Sequence, residues 1–126
     1  MVQDSINTVG FLERFNYENR SHYWTDSYAN MLNGTDGTLW HPDATSDERI
    51  YTFIPDICRS VYLDFQETYQ NPFDIQVHHF AVPDSAYANT PDNRGFCLNS
   101  TERNSTEELH CLPDGLFSLS TCVHRE

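Results

Sequence analysis

Clean alternation of apolar and polar positions is confined to the middle of this chain. In Cys58 to Phe65 (CRSVYLDF), Val61, Leu63 and Phe65 fall on one face and Ser60, Tyr62 and Asp64 on the other. That pattern predicts a half-buried strand. Just before it, Ile50 to Ile54 (IYTFI) is a β-branched and aromatic run stopped by Pro55, which predicts a second strand. Ile75 to Val82 (IQVHHFAV) predicts a third, stopped by Pro83. Its apolar phase slips across the two histidines, with Ile75 and Val77 on one face and Phe80 and Val82 on the opposite one. The slip requires either a bulge at His78–His79 or cover on both faces.

Outside these runs the chain reads as loop. Asn, Asp, Gly, Ser and Thr crowd residues 1–49, and NGTDGT at 33–38 is nearly pure turn chemistry. Beyond Pro83 the sequence is again turn-rich, except that Ser105 to His110 (STEELH) predicts one helical turn, with Ser105 and Glu108 spaced for a capping box. The expected fold class is mainly β with short helices and long loops. Three strands cannot seal a barrel or fill both layers of a sandwich, so the pattern predicts part of something larger.

Composition narrows the function. At 126 residues the chain has the size of one domain. Aromatics at 13% exclude a disordered acidic tail, which would be poor in such residues. Nineteen acids face seven bases, all of them Arg, and a net charge of −12 argues against nucleic-acid or anionic-membrane binding. No apolar run is long enough to span a bilayer, and Asp4 and Asn7 interrupt the stretch where an export signal would lie.

Cysteines and sequons nonetheless point outside the cytosol. Cys58, Cys97, Cys111 and Cys122 are widely spaced, with no C-x-x-C pair, which fits two disulfides better than zinc or a redox pair. Spacing alone leaves three pairings open. Four N-x-S/T sequons, at Asn19, Asn33, Asn99 and Asn104, predict N-glycosylation in a secretory or lysosomal lumen.

The candidate chemistry is sparse. Adjacent strand residues point to opposite faces, so His78 and His79 cannot chelate one ion together, and both are expected to be structural. His41, between Trp40 and Pro42, reads as a packed loop residue, and His22 in HYW as similarly bland. The loop 32–43 places Asp36 and Gly37 in calcium-loop positions but offers Leu32 and Gly34 where ligands belong, so the match fails. There is no G-x-S-x-G, H-E-x-x-H, phosphate loop or dinucleotide fingerprint, and Glu107–Glu108 lies in the most polar stretch. The expectation is a binding protein, not an enzyme, with no metal and no cofactor.

Four segments carry a resemblance. YANMLNGTDGTLWHP at 28–42, PDICRSVYLDF at 55–65, FAVPDSAYANTPDNRGFC at 80–97 and STC at 120–122 resemble the class B scavenger receptor family, in order and spacing, over roughly residues 28 to 122. Val61 in CRSVY, and Gly95 before Phe96, lean toward its lysosomal members. The resemblance implies a glycosylated ectodomain between two membrane spans. It also implies an antiparallel β-barrel core under a helical apex, with a mostly apolar tunnel that passes lipids to the membrane. On that view residues 28–126 are a partial ectodomain from an incomplete barrel, and residues 1–27 a poorly matched N-terminal segment. The chain would then be a fragment, lumenal or extracellular, of a lysosomal or plasma-membrane protein.

The resemblance further implies Cys58–Cys122 and Cys97–Cys111 bridges, each worth about 3–4 kcal/mol in the ideal chain-entropy account. The two positions of a third bridge found in many members are held here by Ala29 and Gly95. Val61, Leu63 and Phe65 are expected to face lipid or core. The implied partners are lipids (fatty acids, sterols, lipoprotein lipids), with a lumenal protein ligand through parts not in this chain. One departure stands out. Where the family has G-[IL]-P-x-[FY]-R-[FY], this chain has NPFDIQVHHF, with His79 near the arginine position. The alternative reading is a small secreted binding module stapled by its disulfides, and the remotest is an unrecognised hydrolase.

Overall fold

The computed structural model describes residues 8–100 and 108–123. They form a mainly β chain with short helical turns and two disulfides, and the sheet is not closed. Strand β1 (Ile50–Ile54) ends where Pro55, which has no N–H to donate, opens a 3₁₀ turn over Pro55–Ile57. Cys58 caps that turn at φ 50°, its N–H donating to the Pro55 carbonyl at 3.1 Å. The chain therefore reverses into β2 (Arg59–Gln70), pairing Ile54 with Arg59 and Ile50 with Leu63. β3 (Gln76–Ala81) runs antiparallel on the other side of β2, giving the order β1-β2-β3.

The register corrects one expectation. The bulge lies on β2, between Phe65 and Glu67, and not at His78–His79, which pair regularly with Thr68 and Glu67. The extra residue, Gln66, shifts the partner phase, so Phe80 meets Phe65 while His79 meets Glu67. β2 also runs five residues past Phe65, because the polar stretch Gln66–Gln70 has a hairpin partner although it buries nothing.

A tight turn closes that hairpin. The Asn71 side-chain oxygen accepts the N–H groups of Phe73 and Ile75, each at 3.0 Å, and Asp74 takes φ 61°. Beyond it, 3₁₀ turns over Asp84–Tyr87 and Pro91–Phe96 lead to β4 (Leu98–Ser100), which pairs with β5 (Glu108–His110). The expected helical turn over Ser105–His110 is thus corrected at Glu108–His110, which form a strand. The Cys97–Cys111 bridge holds Leu98 opposite His110, and ladder pairing follows. Residues 105–107 lie outside the described residues. A four-residue helix α1 (Ser120–Val123) carries Cys122.

Loop-rich residues 8–49 pack on this frame. Thr35, fully buried, forms a parallel bridge with Thr52 on the outer edge of β1, accepting the Phe53 N–H at 2.8 Å and donating to the Tyr51 carbonyl at 3.2 Å. The Phe15 and Phe53 rings lie 4.9 Å apart. The main core joins Trp24, Ala29 and Phe96, with Trp24 edge-on to Phe96 at 5.2 Å and its indole N–H donating to the Cys58 carbonyl at 2.7 Å. Packing therefore runs continuously across residue 27.

Candidate ligand groove

Two features of the motif segments set the geometry. The first is Asn30, whose side chain accepts the Trp24 N–H and donates to the Trp24 carbonyl, each at 2.9 Å, fixing the 24–31 loop. The second is Arg59, only 4% exposed, with its guanidinium 3.6 Å from the Phe96 ring centroid. It donates to the Ala86 carbonyl at 2.5 Å and to the Asn93 side-chain oxygen at 3.2 Å. Burial lowers the Arg59 pKa, and neighbouring Tyr87, Tyr28 and Tyr62 push the other way. Arg59 ties the I-C-R-S strand to the P-D-N-R-G-F turn, so it is a structural rivet.

Between the 28–43 loop and the start of β1 lies a groove of about 670 Å³. Its apolar wall includes Phe11, Tyr28, Met31, Trp40 and Tyr51. Phe11, Tyr28 and Met31 are exposed there, a large apolar surface for so acidic a chain. Tyr28 has its pKa raised, chiefly by burial and then by Tyr51. His41 is packed as expected, its side chain 11% exposed, with Nε2 3.1 Å from Glu48 Oε2. The Glu48 carboxylate also accepts the Thr45 N–H at 3.3 Å. Arg49 grips Asp64 through two hydrogen bonds of 2.7 and 2.9 Å and lies 3.8 Å over the Tyr62 ring. Asp64 raises the Arg49 pKa further.

The other expected site residues fall elsewhere. Val61 is 1% exposed, while Leu63 and Phe65 are half-buried and do not line the groove. Phe65 packs on Phe80 and His78, with ring centroids at 5.8 and 5.6 Å. His78 Nδ1 bonds the Thr68 hydroxyl at 2.8 Å, and His22 pairs with Glu18. Cys58 is bonded to Cys122 and Cys97 to Cys111, the pairing the resemblance implies. Asn19 is exposed, Asn33 is half-buried on the groove rim, Asn99 belongs to β4, and Asn104 lies outside the described residues. Among the described residues no helix is long and apolar enough to cross a membrane, and no His, Cys, Asp or Glu cluster could hold a metal ion.

Sequence reading missed the groove. Tyr28 and Trp40 lie in the 28–43 loop and Tyr51 on β1, and the Thr35–Thr52 bridge, with the Ser60 hydroxyl bonded to Asn33 and Met31, brings loop and sheet together. Each aromatic, taken alone, looks like ordinary loop packing.

Comparison with known proteins bears on nearly all of the chain. Residues 2–126 match the CD36 family. Lysosome membrane protein 2 of Homo sapiens is 35% identical over 120 residues, covering 95% of this chain and 23% of that protein. Sensory neuron membrane protein 2 of Heliothis virescens is 31% identical over 125 residues, with the same two coverages of 95% and 23%. Scavenger receptor class B member 1 of Rattus norvegicus is 30% identical over 122 residues, covering 94% of this chain and 21% of that protein. The chain thus spans under a quarter of the length of these relatives.

Proposed function

Because this chain belongs to the CD36 family, we propose that it is a lumenal or extracellular part of a membrane-anchored receptor that binds and transfers lipids. The work is binding, with no bond chemistry, and the anchors are supplied by sequence outside these residues. Names among its relatives, lysosome membrane protein and scavenger receptor, support a lysosomal or plasma-membrane setting. The ligands are lipids or lipoprotein lipids, with a protein ligand engaged elsewhere on the parent. N-glycans at Asn19, Asn33, Asn99 and Asn104 belong to the same reading.

The groove carries the proposal. Its volume of about 670 Å³ falls within the usual range for small-ligand sites, and aromatic and thioether surface is left exposed there. Filling it removes that surface from water, at about 25 cal/mol per Å² of apolar area. Titration of the disulfide-intact protein with a fluorescent sterol and a fluorescent fatty acid is the test. Saturable binding weakened severalfold by Tyr28→Ala is the expected result. Binding that does not saturate, or that Tyr28→Ala leaves untouched, overturns the assignment.

A further inference from the structure

The groove also carries a charge pattern that selects among amphiphiles, and this inference rests on the groove being a ligand site. Arg49 is the only cationic side chain among its lining residues besides the titratable His41. Its Nε and Nη2 donate to Asp64, and its guanidinium plane lies over the Tyr62 ring. Two carboxylates remain on the wall. Glu48 takes a hydrogen bond from Thr45 and faces His41, while Asp43 makes no hydrogen bond or ion pair among the described residues. The rings of Tyr28, Trp40 and Tyr51 line the same groove.

Such a wall disfavours an anionic head, which would meet Asp43 and Glu48 beside an arginine already paired with Asp64. It favours a cation. Aromatic faces attract cations through the ring quadrupole, Trp most strongly, and carboxylates add to that attraction. A methylated ammonium suits the site better than a primary one, because it has no N–H groups that need acceptors once desolvated. We propose that the groove binds a quaternary ammonium group, either the choline of a phosphocholine headgroup or free choline, between these rings and Asp43.

The chain has two tryptophans, which makes the test direct. The Trp24 indole N–H is donated to Cys58 inside the core and serves as the control, whereas Trp40 lines the groove. The two indole signals are followed by NMR in the disulfide-intact protein. Choline chloride, dodecylphosphocholine below its micelle-forming concentration, and laurate are added in turn, against matched sodium chloride. Choline, dodecylphosphocholine or both should shift Trp40 and leave Trp24 in place, with laurate inert at the same concentration. A shift from both marks the headgroup itself as the ligand. A shift from the detergent alone marks a lipid source, and from choline alone a free solute. Asp43→Asn should weaken binding by about threefold or more at low salt. If laurate shifts Trp40 and neither choline compound does, the inference falls and lipid binding survives. If nothing shifts Trp40, both fall. Unchanged affinity in Asp43→Asn also overturns the proposal.

Discussion

Gly34 shows how one residue can hold a surface loop to a strand. Its φ of 76° is left-handed, and a β-carbon there would collide with the backbone carbonyl of Tyr51. Only glycine lets the 33–35 loop approach closely enough for Thr35 to join the edge of β1. Gly34→Ala should therefore cost about 2 kcal/mol or more, read as a lowered urea midpoint. It should also open the groove, since Asn33 and Gly34 form part of its lining. The sequence showed the turn clearly, because Asn-Gly-Thr-Asp-Gly is turn chemistry. It could not show which edge the turn would seal. Arg59 was equally opaque: an arginine at the start of a strand reads as solvated, and its burial depends on Phe96 and Asn93, more than thirty residues away.

At the level of elements, β1 was legible from its β-branched and aromatic run and the first half of β2 from alternation, because burial of one face imposes a period of two. The polar end of β2 was not, since cross-strand pairing alone holds Gln66–Gln70 in place. The phase slip in β3 was visible, but its cause sat on the partner strand. The misread turn at Glu108–His110 failed for a different reason, as a covalent constraint outweighed a capping pattern. Asp74 carries a measurable cost. It sits at φ 61°, a region Asp tolerates but does not prefer. Asp74→Gly should stabilise the β2–β3 hairpin by about 0.5 kcal/mol, seen in chemical denaturation and in slower amide exchange at Thr68 and Val77.

At the scale of the molecule, fully buried apolar side chains are few among the described residues and the sheet does not close, so covalent closure supplies much of the stability. Cys58–Cys122 spans 64 residues and Cys97–Cys111 spans 14. The chain-entropy account assigns about 4 kcal/mol to the longer loop and about 3 to the shorter. Replacing Cys58 and Cys122 together by Ser should unfold the protein at a lower guanidinium concentration than replacing Cys97 and Cys111 together. The number of bridges was readable from four spaced cysteines, their partners only through the resemblance, and the groove not at all. The staples are nested, the short one lying wholly inside the long one. On the lumenal reading proposed above, Cys97 would reach an oxidising compartment during vectorial synthesis while Cys58 is still a free thiol and Cys122 has yet to emerge. A premature Cys58–Cys97 bond is the natural error of such an order, and it would strand Cys111 and Cys122. Maturation of this chain should accordingly depend on a disulfide isomerase that keeps the first thiol waiting for the last.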